Sequence, residues 1–188
     1  KGAENANIRI GDTVVVFAQG PIGLCATAGA RLLGATTIIA VDGNDHRLGI
    51  AQKMGADVTL NFKNCDVIDE IMKITGGRGA DSAIEALGTQ ATFESALRSI
   101  KPGGTLSSLG VYSEDLKIPL SAFAAGLGDH KINTALCPGG KERMRRLMNV
   151  LASNRLDLGL LVTHQYKLDD IVAAYDLFAH QRDGVLKV

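Results

Sequence analysis

The fold is decided by the stretch Val14-Val15-Val16-Phe17-Ala18-Gln19-Gly20-Pro21-Ile22-Gly23. Four apolar, mostly β-branched residues run into a turn of small residues, and apolar residues then recur at helical spacing as far as Leu33. This succession predicts a buried strand, a tight turn and a helix. Gly20 has no Cβ, and Pro21 suits the first position of a helix. The free amides at the start of the helix are therefore predicted to face an anion.

The turn also resembles a dinucleotide-binding fingerprint, whose pattern is G-x-G-x-x-G. Here it reads Ala18-x-Gly20-x-x-Gly23, and on its own it would also suit a plain turn between any buried strand and helix. The next predicted strand ends in Asp42, 19 residues after Gly23, where the fingerprint places an acid that binds the ribose hydroxyls. A carboxylate there repels a 2′-phosphate, so Asp42 predicts NAD rather than NADP. The alternative is that Asp42 only caps the helix predicted at 45–54.

Composition limits the class of protein. The chain has 188 residues, 46% of them apolar, which suits one domain with a sizeable core. Its 20 basic and 20 acidic residues cancel, which argues against nucleic acid or an anionic membrane as the main partner. Three scattered cysteines suit a reducing compartment, and we predict a cytoplasmic protein. The chain does not begin with Met, so we expect a fragment or a processed product.

Small-residue pairs recur along the first half of the chain. Gly-Ala stands at 34, 55 and 79 and Gly-Gly at 103, at intervals of 21 to 24 residues. Such a period fits a solenoid, or alternating strands and helices with Gly ending each helix. We favour the second, an α/β fold with a doubly wound parallel sheet of about six strands, of the Rossmann type. Predicted strands are 13–18, 36–41, 57–60, 81–86 and 104–111. Predicted helices are 21–33, 45–54, 64–75 and 89–100.

The pattern changes after Tyr112. Residues 131–136 alternate as a sixth strand at the sheet edge, which would pair with a second copy to form a homo-oligomer or be a capped monomer edge. A helix is predicted at 141–153. In the tail we predict strand 160–166, helix 169–179 and a strand at 185–188 that ends in mid-run, which supports a fragment boundary.

Catalytic motifs are lacking. The sequence has no His-Glu-x-x-His, no Gly-x-Ser-x-Gly, no Walker-type lysine and no Cys-x-x-Cys. The four histidines lie far apart, so we predict no metal site within this chain, and we interpret His164 as a surface or packed residue. Arg47 follows Asp42 by five residues and would either reach the cofactor or be a surface cation.

These features together resemble the coenzyme domain of zinc-dependent medium-chain alcohol dehydrogenases. The resemblance covers nearly the whole chain, and Leu136-Cys137-Pro138-Gly139-Gly140-Lys141 is similar to the secondary-alcohol branch. The other segments that carry it are Val14–Leu24, Ile39-Ala40-Val41-Asp42, Lys101-Pro102-Gly103-Gly104-Thr105 and Leu161-Val162-Thr163-His164.

The resemblance implies a role for each cofactor-binding residue. The pyrophosphate would lie on Gly20, Pro21, Ile22 and Gly23, the adenosine ribose on Asp42 and Arg47, the adenosine side of the groove on Gly88, and the nicotinamide end on Leu109, Gly110 and Val111, with Lys187 near the pyrophosphate. Two positions depart from the family. Ala18 replaces a glycine, which is tolerable if its φ is negative, and Asp42 replaces the small residue of NADP-using secondary-alcohol enzymes.

The resemblance also implies what lies outside the chain. The family's zinc ligands belong to a domain upstream of Lys1, and residues 154–188 would lead back to it from a core at about 13–153. We expect the intact protein to transfer hydride between a secondary alcohol or ketone and NAD(H), with zinc, and this chain alone to be inactive. Alternatives are a zinc-free quinone reductase of the same superfamily, which usually prefers NADPH, and a non-catalytic nucleotide-binding or oligomerisation domain. A methyltransferase with a similar sheet is less favoured.

Overall fold

The computed structural model describes residues 1–188, in which six strands alternate with helices. The strands are β1 Thr13–Phe17, β2 Thr37–Asp42, β3 Val58–Asn61, β4 Ala80–Glu85, β5 Ile100–Ser108 and β6 Lys131–Thr134. The helices are α1 Gly2–Asn5, α2 Pro21–Leu32, α3 Asp45–Lys53, α4 Val67–Ile74, α5 Gln90–Ser99, α6 Lys141–Ala152 and α7 Ile171–Ala179. Short 3₁₀ helices lie at Ala124–Gly126, Leu158–Leu161 and Leu168–Asp170. The predicted alternation of strand and helix is confirmed.

All six strands form one sheet in the order β3-β2-β1-β4-β5-β6. Every neighbouring pair is parallel, as the prediction of a doubly wound α/β sheet required. The order reverses between β1 and β4, because β2 and β3 lie on one side of β1 while β4 to β6 lie on the other. In such sheets a ligand binds at the carboxyl ends of the strands, at the point of reversal.

The central strands are apolar because both faces of the sheet are covered. Alternate strand residues point to opposite faces. Val15, Phe17 and Ile39 belong to a buried cluster with Phe93 and Leu97 of α5. The intervening residues are buried as well, and the helices in contact with β1 and β2 there are α2 and α3. The continuous run from Val14 to Phe17 is thus explained by burial on both faces.

Glycines with positive φ lie between several helices and the strands that follow them, as the Gly-Ala repeat predicted. Gly34, Gly55 and Gly79 have φ values of +96°, +111° and +82°, which favour glycine because it lacks a Cβ. The prediction for Gly103 is wrong in one respect. β5 already begins at Ile100, and Gly103 lies inside the strand at φ +75°, next to a shift in the register with β4.

The chain divides into two compact units, Lys1–Pro138 and Gly139–Val188. The first holds the whole sheet and the second begins just before α6. The expected division into a core at 13–153 and a segment at 154–188 stays a prediction. No helix is long and apolar enough to cross a membrane.

Two strand predictions in the second unit are wrong. The segment 160–166 is not a strand: its first two residues belong to the 3₁₀ helix Leu158–Leu161, which begins where the Asp157 carboxylate accepts the Gly159 amide and turns the chain. The segment 185–188 is not a strand either, since its pairing is a single parallel bridge between Lys187 and Val162. The helix predicted at 169–179 forms as a 3₁₀ turn followed by α7.

Candidate functional site

The carboxyl ends of the central strands lie side by side. Phe17, the last residue of β1, is in register with Val41 near the end of β2 and with Glu85 at the end of β4. Glu85 is in register with Ser108, the last residue of β5. The loops that follow these four strands therefore emerge at one edge of the sheet, as the sequence predicted.

Ala18, which opens the first loop, has a left-handed backbone. Its φ is +69°, so the condition under which we expected its methyl group to be tolerable is not met. L-residues avoid this region because the Cβ crowds the backbone. Its amide donates to the Val41 carbonyl at 2.9 Å, which holds the turn against β2. The conformation explains why the fingerprint has glycine at this position.

Gly23 lets α2 lie directly on the turn. A Cβ at this position would collide with the Ala18 carbonyl oxygen, so no other residue fits without a shift of the backbone. Gly20 is different, because a Cβ there would meet nothing within 4 Å and the space above it is open. Gly20 is the N-cap of α2, Pro21 follows it, and no side chain caps the helix. The amino terminus of α2 thus faces open space with its amides uncapped.

Gln19 is a structural residue of the turn that sequence reasoning missed. It is fully buried, its Nε2 donates to the Val16 carbonyl at 2.9 Å, and its Oε1 accepts from Thr27 Oγ1 at 3.0 Å. Its amide donates to Asp42 Oδ2 at 2.6 Å. The sequence signal that could have identified Gln19 was a polar residue between two small residues, directly after a buried strand.

Asp42 links the turn to the loop after β2. Besides the Gln19 amide on Oδ2, its Oδ1 accepts the Asn44 amide at 2.9 Å, and the residue is 8% exposed. The alternative that Asp42 caps α3 is wrong. The cap is Asn44, whose side-chain oxygen accepts from the amides of His46 and Arg47.

Two further side chains stand near the end of β2. Arg47 is half-buried in the first turn of α3, five residues after Asp42. Phe62 follows β3, is 57% exposed, and its ring lies where a Cβ on Gly43 would be. Sequence reasoning did not single out Phe62, because an isolated aromatic residue after a short strand carries no motif.

The loops after β4 and β5 touch each other through glycine. Gly88 has φ +96°, and a Cβ on it would lie 2.5 Å from the Val111 carbonyl oxygen. A Cβ on Gly110 would collide with the backbone of Gly88. The structure thus brings three of the predicted residues together. Leu109 comes directly before Gly110. Its side chain packs against Gly2, and its amide donates to the Glu85 carbonyl at 2.8 Å.

Tyr112 closes this group of loops. Its hydroxyl donates to Glu85 Oε2 at 2.7 Å and lies 2.6 Å from Ser108 Oγ, and its ring meets Phe93 edge to face. Burial raises the pKa of the Tyr112 hydroxyl well above its usual value, and the Glu85 carboxylate adds to this effect against the Ser108 hydrogen bond. The phenol therefore remains a hydrogen-bond donor across the ordinary pH range.

Lys187 lies apart from the loops at the carboxyl edge in the sequence, in the second compact unit. Lys187 is exposed in the second compact unit, where its carbonyl accepts the amides of Thr163 and His164. Its predicted approach to a pyrophosphate stays a prediction. No three His, Cys, Asp or Glu side chains lie together in a group that could hold a metal ion. That this chain has no metal site stays a prediction.

Comparison with known proteins identifies the family. The model for the zinc-binding dehydrogenase domain matches residues 21–153, which is most of the chain. The chain belongs to the zinc-binding dehydrogenase family. The resemblance to the coenzyme domain of zinc-dependent alcohol dehydrogenases is thereby confirmed.

Two relatives and one solved structure show how far the similarity extends. An alcohol dehydrogenase of Cupriavidus necator is 85% identical over the whole chain, and an NADP-dependent isopropanol dehydrogenase of Entamoeba histolytica is 40% identical over 99% of it. The chain spans about half the length of both, 51% and 52%. The zinc-dependent alcohol dehydrogenase 2 of Streptococcus pneumonia superposes on 99% of the chain and 55% of its own, at a TM-score of 0.90 and 30% identity.

Proposed function

We propose that the intact protein transfers hydride between a secondary alcohol or ketone and NAD(H), and that this chain is its coenzyme domain. The observation that carries the proposal is the position of Asp42. It ends β2 at the carboxyl edge of the sheet, and it accepts the amide of Gln19 in the turn that leads into the uncapped amino terminus of α2, next to the point between β1 and β4 where the strand order reverses. Names of family relatives, alcohol dehydrogenase and isopropanol dehydrogenase, support the reaction class.

The pyrophosphate is proposed to lie on the turn from Gly20 to Gly23. The open space above Gly20 admits a phosphate close to the backbone, and the uncapped amides of α2 offer donors to its oxygens. Because α2 has 12 residues, its dipole adds to the attraction. Pro21 has no N–H and therefore offers no donor itself. The helix loses no hydrogen bond at this first position, and the amides that follow Pro21 remain as donors.

The adenosine ribose is proposed to bind Asp42, with Arg47 beside it. A carboxylate has about four lone-pair positions, and backbone amides occupy two of those on Asp42. The remaining two suit the 2′- and 3′-hydroxyls. A 2′-phosphate would instead bring negative charge against a buried carboxylate, so we propose a preference for NAD, in contrast to the relatives that are named NADP-dependent.

The nicotinamide half is proposed to lie along Leu109, Gly110 and Val111, and Gly88, which packs against Gly110 and Val111, is proposed to line the adenosine side of the groove. Leu109 and Gly110 are half-buried and Val111 is exposed, so a ligand is able to approach this segment from the solvent side. When bound, the nicotinamide ring supplies the hydride acceptor. The chain's own residues bind and orient the cofactor. Substrate activation by zinc falls to ligands outside these residues, so we expect no turnover from this chain alone.

Exchange of the Asp42 side chain tests the cofactor assignment. We expect calorimetric titration of the chain to show NAD⁺ binding more tightly than NADP⁺. Asp42→Asn removes the charge but keeps one acceptor oxygen, and we expect it to narrow this preference by about tenfold. Asp42→Gly should abolish the preference. The matched control is Asp57→Asn, because the Asp57 carboxylate accepts the Ile38 amide near the other end of β2. An unchanged preference in both Asp42 variants would exclude the assignment.

We also propose a homo-oligomer formed through the edge segment 131–136. β6 stands at the open edge of the sheet, where its outward amides and carbonyls are able to pair with a second copy. Successive amides of a strand point in opposite directions. Of the two variants Asn133→Pro and Thr134→Pro, one therefore removes an amide that faces the open edge, and the other removes an amide that faces β5. We expect the variant without the edge-facing amide to sediment as a monomer and the unaltered chain as a dimer. A monomeric unaltered chain would rule out this interface.

A cytoplasmic location is proposed as well. The three cysteines, Cys25, Cys65 and Cys137, are odd in number and widely spaced along the chain, which suits a reducing compartment.

A further inference from the structure

Glu85 is a buried carboxylate that has no part in the cofactor contacts proposed above. It is fully buried at the carboxyl end of β4, and the other buried carboxylate of the chain is Asp42. A carboxylate is expensive to bury unless its oxygens are hydrogen-bonded. The hydrogen-bond donors around Glu85 therefore show which parts of the structure this carboxylate stabilises.

Five donors surround the Glu85 carboxylate. Oε1 accepts the amides of Leu87 at 2.8 Å and Gly88 at 2.7 Å, and the Thr92 hydroxyl at 2.8 Å. Oε2 accepts the Tyr112 hydroxyl at 2.7 Å and, more weakly, the Ser108 hydroxyl at 3.5 Å. Hydrogen bonds from neutral groups, rather than an ion pair, thus fix the carboxylate. Its two oxygens face two different loops.

The same carboxylate lies directly behind the glycine contact of those loops. A Cβ on Gly110 would approach Glu85 Oε2 to 2.6 Å as well as collide with Gly88. Oε1 holds the loop after β4, Oε2 holds the loop after β5, and Gly88 and Gly110 meet between them. One side chain therefore sets the distance between the two loops.

We infer that Glu85 is a positioning residue for the nicotinamide half of the cofactor. It acts through the segment from Leu109 to Val111, whose backbone the nicotinamide half would touch, because it holds that segment in place against Gly88. This inference rests on the proposed function, since it needs a dinucleotide in the groove. Glu85 itself touches no part of the ligand.

Because of the strand order, loss of Glu85 should affect the two halves of the cofactor site differently. Asp42 ends β2, on one side of β1, whereas Glu85 and the loop after β5 lie on the other side. AMP offers only the adenosine half of the cofactor, that is, the adenine, the ribose and one phosphate, which Asp42 and the turn at Gly20 would bind. NAD⁺ additionally reaches the loops that Glu85 holds. Loss of Glu85 should therefore weaken NAD⁺ more than AMP.

The test is titration of the chain with NAD⁺ and with AMP, before and after Glu85→Gln. The variant keeps the size of the side chain but replaces one acceptor oxygen by an NH₂ donor. Its single remaining oxygen cannot accept hydrogen bonds from both the Tyr112 hydroxyl and the loop amides. We expect NAD⁺ affinity to fall about tenfold and AMP affinity to change by less than about twofold. The matched control is Asp81→Asn at the other end of β4, which should leave the ratio of the two affinities unchanged.

The outcomes separate this inference from the function on which it rests. If the unaltered chain binds neither ligand, the proposed function fails, and the inference fails with it. If NAD⁺ binds the unaltered chain and Glu85→Gln equally well, the inference is overturned while the function stands. An equal loss of NAD⁺ and AMP affinity also overturns it, because Glu85 would then only support the fold.

Tyr112→Phe keeps the inference testable if Glu85→Gln does not fold. It removes the donor to Glu85 Oε2 and preserves the ring that packs against Phe93. We expect the same selective loss, smaller than that of Glu85→Gln. If Tyr112→Phe binds NAD⁺ as tightly as the unaltered chain, the coupling of the two loops through Glu85 is excluded.

Discussion

Single residues at the carboxyl edge of the sheet combine strain with hydrogen bonding. Ala18 adopts a backbone conformation that suits glycine, while Gln19 and Asp42 tie the strained turn to α2 and β2. Strain of this kind persists where surrounding contacts hold it in place. The turn is therefore pre-formed, and the amides of α2 need no rearrangement to meet an anion.

Replacing Ala18 by glycine should stabilise the protein. The left-handed conformation costs a residue with a Cβ about 1–2 kcal/mol, and part of this gain is offset by the greater chain entropy of glycine. We expect Ala18→Gly to raise the free energy of unfolding in urea by about 1 kcal/mol. Ala28→Gly, in the middle of α2, is the control and should lower it by about the same amount. A loss of stability in Ala18→Gly would contradict the strain.

Asp81 should contribute a stability that depends on pH. Burial acts to raise the pKa of Asp81, but the Lys101 ammonium and the Thr13 amide outweigh it, and the pKa lies below its ordinary value. A carboxylate with a lowered pKa stabilises the fold above its unfolded pKa of about 3.9, and this is lost as the pH falls through the folded value. We expect Asp81→Asn to cost about 1 kcal/mol at pH 7.

The cost of Asp81→Asn should therefore diminish below about pH 4. Urea unfolding of both proteins between pH 7 and pH 3 measures it. A difference that stays constant over this interval would contradict the pairing.

The residue scale also shows where sequence reasoning ends. The positions of Gly20, Gly23 and Asp42 follow from spacing, because a turn and a strand end impose fixed intervals. The φ of Ala18 and the buried contacts of Glu85 do not, since they depend on strands far apart in the sequence meeting in register. Asn44 was missed as a cap because two candidate residues stood within three positions of the helix start.

At the scale of elements, the docking of α2 on the turn organises the site. The helix comes close to β1 because Gly23 has no side chain, and Thr27 then reaches Gln19. Most elements of the first unit could be predicted from the sequence, because glycines follow α2, α3 and α4 and side chains cap the starts of α3, α4 and α5. Those near residue 160 could not, because an apolar run predicts a strand whether or not a partner strand exists.

The fit between α2 and the turn predicts a severe effect of one added methyl group. Gly23→Ala places a Cβ against the Ala18 carbonyl, and backbone has to shift to admit it. We expect a loss of about 3 kcal/mol in the free energy of unfolding, together with loss of NAD⁺ binding. Gly49→Ala in α3 is the control, because its Cβ meets nothing within 4 Å and alanine favours the helix. Equal stability of the two variants would contradict the close approach.

At the scale of the whole molecule, the first compact unit holds every element of the proposed groove except Lys187. Residues 1–138 contain all six strands and the buried cluster between the sheet and α5. Residues 139–188 contain two α-helices, two 3₁₀ helices and a single strand bridge. The first unit is thus complete in its secondary structure, and the second has no sheet of its own.

This division predicts that residues 1–138 fold alone. Expressed by themselves, they should unfold in one cooperative thermal transition and still bind NAD⁺, with the affinity reduced only by the loss of Lys187. Residues 139–188 expressed alone should show no cooperative transition. Calorimetry and circular dichroism of the two pieces measure this. The absence of a transition in residues 1–138 would show that the sheet depends on the second unit.

The proposed function requires that the cofactor binds at the carboxyl edge of the sheet. Titrating the isotope-labelled chain with NAD⁺ and following its backbone amides by NMR shows where the cofactor binds. We expect the largest shifts at Gly20, Gly23, Asp42 and Gly110, and almost none at Asp57 and Asp81 on the opposite edge. Shifts centred on the opposite edge, or none with NAD⁺ in large excess, would contradict it.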